Sequence, residues 1–85
     1  MGFQMFIEDK VIKKIEKLDP ITRKRILKAL PKLSELFRTR IDVVKLAGYP
    51  NKYRYRVGNY RVLFEVEGNE IKIFDVLHRG RGYRR

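Results

Sequence analysis

Apolar positions recur along this chain with one period before about residue 42 and another after it. In the first part, Val11, Ile12, Ile15 and Leu18 fall at helical spacing on one side while Lys10, Lys13, Lys14 and Lys17 occupy the others, which predicts a helix. Phe3 to Ile7 is short and apolar and predicts an opening strand, after which Glu8 and Asp9 supply the acidic residues that favour a helix start. Asp19-Pro20 sets the next boundary, with Asp as N-cap and Pro at the first helical position, where its missing N–H costs nothing. From there Ile26, Leu30, Leu33 and Phe37 keep one stripe, flanked by Leu27, Ala29 and Leu36, so a second helical pattern runs to about residue 37. Pro31 interrupts it. Proline deep inside a helix costs about 3 kcal/mol, so the pattern expects either a kink or a short turn after which Pro31 opens a new helical segment.

Beyond Asp42 the alternation becomes that of strands, at Val43 to Ala47, Tyr53 to Val57, Tyr60 to Val66 and Ile71 to His78, with turns at Gly48 to Lys52 and at Gly68-Asn69. If Gly58-Asn59 is a two-residue hairpin turn, Val57 pairs with Tyr60 and Arg56 falls opposite Arg61. Strict alternation then puts Tyr53, Tyr55, Val57, Tyr60, Val62, Phe64, Val66, Ile71 and Ile73 on the face under the helices. The other face receives Arg54, Arg56, Arg61, Leu63, Glu65, Lys72, Phe74, Val76 and His78, with Glu65 and Lys72 opposite one another as an expected ion pair. Asp75 lands on the apolar face by this count, which calls for an edge position, a basic partner or a slipped register. The expected fold is α+β, two N-terminal helices packed on one face of a small antiparallel β-sheet, a single domain over residues 1–85.

Charge sharpens this picture. Lys and Arg number 21 against 10 Asp and Glu, a formal charge of +11, which points to a polyanionic partner: RNA, DNA, an anionic membrane or a very acidic protein. There is no cysteine, so disulfide frameworks, zinc fingers and thiolate metal sites are excluded and a cytoplasmic setting fits. One histidine and no carboxylate cluster leave no zinc or magnesium set, and no Gly-rich nucleotide loop precedes a helix, so neither metal nor cofactor is expected. The apolar runs are far shorter than the roughly 20 residues of a membrane span, and the N-terminus lacks the features of an export signal or a myristoylation site, which leaves the expectation of a soluble, unexported protein.

Like charges facing each other across strands are destabilising, so arginines placed there call for an anion between them. A lone arginine on such a face is ordinarily a solvated surface residue. Arg54, Arg56 and Arg61 on one hairpin, in a chain of this charge, read better as half of a phosphate site, because guanidinium groups bind phosphate oxygens two at a time. His78 is expected on the same face, where an imidazole could move a proton at a reacting oxygen. Lys52, just before the hairpin, is expected to bind RNA as well, and Tyr83 sits among Arg79, Arg81, Arg84 and Arg85, a set able to stack on an unpaired base while holding its backbone.

Taken with Leu18-Asp-Pro20, Val44-Lys-Leu-Ala-Gly48, Tyr53-Arg-Tyr-Arg-Val-Gly-Asn-Tyr-Arg-Val62 and Val76-Leu-His-Arg79, the chain resembles the RelE toxins of bacterial and archaeal toxin–antitoxin systems, from about Phe6 to the end. That resemblance implies a ribosome-dependent, metal-independent endoribonuclease that cuts messenger RNA in the A site by attack of the RNA 2′-hydroxyl on the adjacent phosphate, and that is held inactive by a RelB-like antitoxin with an acidic segment. By motif position, Arg54 and Arg56 correspond to basic hairpin residues, Arg61 to the phosphate-stabilising arginine, Arg79 to the arginine after the last strand, and Tyr83 to the terminal aromatic. Family members often carry lysine where this chain has Arg54 and Arg56. Arginine does not deprotonate in proteins, so His78 or Tyr83 is expected to serve as base. Two competing readings share the charge: a ParE-like inhibitor of DNA gyrase with the same fold, and a non-enzymatic nucleic-acid-binding module.

Overall fold

The computed structural model describes residues 2–36 and 41–78. Strand β1 (Gln4–Ile7) leads into α1 (Asp9–Glu16) and α2 (Pro20–Ala29), after which comes a 3-10 segment (Leu30–Glu35). Four strands complete the chain: β2 (Val43–Lys45), β3 (Lys52–Val57), β4 (Tyr60–Glu67) and β5 (Glu70–His78). They form one sheet in the order β1-β5-β4-β3-β2. The sheet is mixed rather than purely antiparallel, because β1 lies beside β5 in parallel, Gln4 against Glu70 through Ile7 against Ile73. Two strands that run the same way cannot be joined by a hairpin, and here both helices and strands β2, β3 and β4 come between them in the chain.

The helix boundaries obey the local chemistry. The Asp19 carboxylate accepts a hydrogen bond from the Thr22 backbone N–H at 3.0 Å, and Pro20 occupies the first turn of α2. Pro31 resolves as a new segment: the α-helix stops at Ala29 and the tighter 3-10 turn carries Leu30 and Leu33 into the core. The hydrogen bonds from Thr22 hold the Asp19 carboxyl below its ordinary value of 3.8. A carboxyl with a depressed folded-state pKa adds stability above its unfolded value and loses it as pH falls through the folded one. Asp19→Ala is therefore expected to lower the melting temperature at neutral pH, with the difference from wild type shrinking as the pH is taken below about 4. Thermal denaturation of the two proteins at pH 7 and pH 3 checks this, and an undiminished difference in acid would count against the cap.

Val11 and Ile15 of α1, Ile26 of α2, and Leu30, Leu33 and Leu36 cover one face of the sheet, packing against Tyr55, Val57, Val62, Phe64, Ile71, Ile73 and Val76. The Tyr55 hydroxyl donates to the Ala29 carbonyl at 3.2 Å, and burial pushes its phenol pKa up, keeping it a neutral donor. Both hairpin turns place a glycine with positive φ first, Gly58 and Gly68 at +59°, while their asparagines keep negative φ, the pattern of a type II′ turn.

The predicted register holds through β3 and β4 and fails in β5. Arg56 lies opposite Arg61 and Val57 opposite Tyr60, but Phe64 pairs with Ile73 and Leu63 with Asp75, so Phe74 is one extra residue, a β-bulge. A single inserted residue reverses which side every later residue faces. Val76, expected on the arginine face, is instead buried in the core opposite Val62, and His78 comes to lie opposite Tyr60 on the helix side. Leu77 takes the place opposite Arg61. Asp75 shows both the slipped register and a basic partner, since Lys14 Nζ of α1 donates to its carboxylate at 2.7 Å.

Candidate active site on the uncovered sheet face

The face of the sheet turned away from α1 and α2 is built by β3, β4 and the bulged part of β5. Arg54 stands opposite Leu63, and Arg56 opposite Arg61. Side chains paired in this way start about 5 Å apart, so Arg56 and Arg61 share one small region of surface and Arg54 flanks it. Arg61 is half-buried and its Nε is shielded from solvent, which restricts the direction its guanidinium can take. The Arg54 side chain makes no ion pair or hydrogen bond among the described residues.

Arg56 is held differently. Its Nε donates to the Asp42 carboxylate at 2.9 Å, and its backbone N–H donates to the Asp42 carbonyl, also at 2.9 Å. Asp42 precedes β2 and escaped the sequence reading because it belongs to no motif; only pairing β2 with β3 brings it beside Arg56. Both side chains are about half exposed, so the pair is weak and open to exchange with another anion. The expected Glu65–Lys72 pair is not made, although the two residues are in register. Glu65 pairs instead with Lys52 at 3.1 Å, and Lys72 with Glu67 at 3.1 Å. Strand β4 lies between β3 and β5, so Glu65 has a lysine on either side and takes the one on β3. Lys52 also lies over the rings of Phe74 and Tyr49, at 5.0 and 5.6 Å, which commits it to the fold more than to a ligand.

Beside Arg54 the same face carries an apolar depression of about 330 Å³ lined by Leu46, Tyr49, Lys52, Leu63 and Phe74. Leu63 belongs to this patch and not to the core under the helices.

His78 is the clear displacement. Its ring packs edge-on to Tyr60 with centroids 5.0 Å apart, and the two share a cavity with Asp19, Thr22 and Arg25 of the helix side. The bulge at Phe74 separates it from the arginines by the thickness of the sheet. A positioned acid or base contributes about 10² to 10⁴ in rate, so if His78 has no such task, His78→Ala should keep the cleavage rate within about threefold of wild type. A larger loss in a single-turnover assay would restore it to the site. Arg79, Arg81, Tyr83, Arg84 and Arg85 lie outside the described residues.

A model of the ParE toxin of the type II toxin–antitoxin system parDE matches residues 6–83, nearly the whole chain. Toxin RelE3 of Methanocaldococcus jannaschii is 43% identical over 56 residues, which cover 66% of this chain and 64% of that relative, so the match spans just under two thirds of the relative's length. A chain of the crystal structure of the archaeal RelE–RelB complex from Pyrococcus horikoshii OT3 is 32% identical, with a TM-score of 0.77 over 96% of this chain and all of that one. The chain belongs to the RelE family. It shares its fold with more distant RelE proteins as well: the isolated toxin from E. coli superimposes with a TM-score of 0.75 over 96% of this chain at 21% identity. As a RelE-family chain it is a member of the type II toxin–antitoxin toxins, with the hairpin arginines on the uncovered sheet face.

Proposed function

We propose that this RelE-family chain is a ribosome-dependent endoribonuclease that cuts messenger RNA in the A site and thereby inhibits translation. The observation that carries the reading is the register of β3 and β4, which assembles Arg54, Arg56 and Arg61 on one face that the chain's own helices leave open. In the proposed reaction the RNA 2′-oxygen loses its proton and bonds to the adjacent phosphorus, the bond to the 5′-oxygen breaks, and that oxygen takes up a proton. Negative charge gathers on the phosphoryl oxygens between these two events, and Arg61, with its restricted guanidinium, is assigned to stabilise it. Arg54 and Arg56 hold the flanking backbone.

Arginine cannot accept the proton, and His78 stands on the opposite side, so the proton transfer is assigned to Tyr83, with Arg79 proposed to aid catalysis and Arg81, Arg84 and Arg85 to bind RNA. A RelB-like antitoxin is proposed to silence the toxin, since the RelE chains of Pyrococcus horikoshii and Methanococcus jannaschii were crystallised as complexes with RelB. The depression lined by Leu63, Phe74 and Leu46 would accept an apolar antitoxin segment, with acidic residues facing the arginines.

The match to a ParE model favours one rival, inhibition of DNA gyrase by a protein of the same fold. Primer extension on mRNA programmed into purified ribosomes separates the two. Breaks at A-site codons support the nuclease; intact mRNA together with gyrase-dependent DNA damage would replace it with the rival.

A further inference from the structure

Away from the hairpin arginines, a further gathering of charge lies between α2 and the end of β3. Arg25 and Lys28 of α2 and Lys32 of the 3-10 segment are spaced three and four residues apart, which sets them in a row along one side of the helical rod. They line a cavity of about 290 Å³ floored by Tyr55 and Val57, with Arg56 at its rim. None of the three side chains makes an ion pair or hydrogen bond among the described residues, in contrast to Lys14, Lys52 and Lys72, each of which has its own carboxylate. All three are exposed, so the fold does not need them to stay in place.

Arg25 is nonetheless directed. A methyl group built on Gly58 would lie 2.7 Å from its Nη1, so the guanidinium rests against the hairpin tip. Three uncompensated cations beside one cavity repel one another, and a bound anion relieves that repulsion. The exposed large apolar side chains, Phe6, Ile12, Ile21, Leu27, Val44 and Tyr49, all lie outside the cavity, whose floor of Ala29, Tyr55 and Val57 lies beneath the row of positive charge. Evenly spaced charge matches a chain that carries one phosphate per unit, read by its backbone and not by its sequence.

From this we infer that the α2–β3 cleft of Arg25, Lys28 and Lys32 is a second RNA-backbone site, distinct from the scissile phosphate site and joined to it through Arg56, which lines the cleft and stands opposite Arg61. The inference rests on the reading that this protein acts on RNA, and it adds where the strand beyond the cut, or a neighbouring RNA, is gripped. The cleft contributes affinity and salt dependence, while the chemistry stays on the other face.

The test uses the full chain with Arg61→Ala, so that RNA survives, and compares it with the same chain carrying Arg25→Gln, Lys28→Gln and Lys32→Gln. The probe is a fluorescein-labelled single-stranded RNA of 20 nucleotides, titrated at several salt concentrations. Each phosphate neutralised on a single strand adds about 0.7 to the slope of log K against log salt, so the three glutamines should flatten it by about 2 and weaken binding about tenfold at low salt. A charge-keeping set, Arg25→Lys, Lys28→Arg and Lys32→Arg, should preserve the slope, and thermal denaturation should show all three proteins folded alike. An unchanged slope in the glutamine set overturns the cleft while leaving the nuclease reading intact. Unchanged RNA binding with weakened binding to a purified acidic antitoxin overturns it in favour of a protein partner. Failure of the parent chain to bind this RNA at all also overturns the cleft, while the nuclease reading is decided separately by primer extension on programmed ribosomes.

Discussion

Arg61→Ala is expected to lower the single-turnover cleavage rate on programmed ribosomes by about 10² to 10³, the loss typical of removing one preorganised donor to developing charge. Arg61 differs from Arg54 and Arg56 in that its Nε is shielded from solvent, so its guanidinium is restricted before substrate arrives and less reorganisation is needed as charge appears. Arg61→Lys should recover only part of the rate, because an ammonium carries the charge but cannot contact two phosphoryl oxygens with one planar fork. Binding of RNA should fall much less than the rate does, since Arg54, Arg56 and the α2–β3 cleft remain. Equal losses in binding and rate would show Arg61 to be an anchor and not part of the chemistry.

Phe64→Ala is expected to leave the protein largely unfolded at 37 °C. The ring is fully buried at the centre of the sheet, stacks on Tyr53 with centroids 5.5 Å apart, and is the largest of the fully buried side chains. Truncating a buried phenylalanine costs about 3 to 5 kcal/mol, and a domain of this size has a total stability at the low end of about 5 to 15 kcal/mol. Chemical denaturation with circular dichroism measures the loss. A midpoint within a few tenths molar of wild type would mean that the sheet repacks around the gap. Phe64→Leu, which keeps most of the volume, should lie between the two.

How much of the fold and the site is legible in the sequence depends on what fixes the count along each strand. The hairpin tip at Gly58-Asn59 sets the register from a known point, and Arg56 opposite Arg61 comes directly from it. Strand β5 has the same kind of turn before it, yet the count fails at Phe74, because nothing in the alternation of Ile71, Lys72, Ile73 and Phe74 says that one residue is skipped. Phenylalanine suits either face, so the inserted residue leaves no polar mark, and simple alternation puts Val76 and His78 on the wrong side. Asp75 is the visible symptom, a carboxylate predicted among apolar residues. The direction of β1 is equally hidden, since hydrophobic periodicity is the same for parallel and antiparallel neighbours. Pro31 shows that the α-helix must stop, but it does not choose the 3-10 turn that replaces it; the packing of Leu30 and Leu33 makes that choice. The row of Arg25, Lys28 and Lys32 is readable as spacing, but its significance depends on the cavity that β3 closes beneath it.

The contact between Arg56 and Asp42 changes what docking at that corner means. An arriving phosphodiester does not find a bare cation there; it trades places with a carboxylate already in position, and one anion leaves as another enters. Few small ions are released by such a swap, so the corner should respond weakly to ionic strength, leaving Arg54 and the row on α2 to set how sharply the protein lets go of RNA as salt rises.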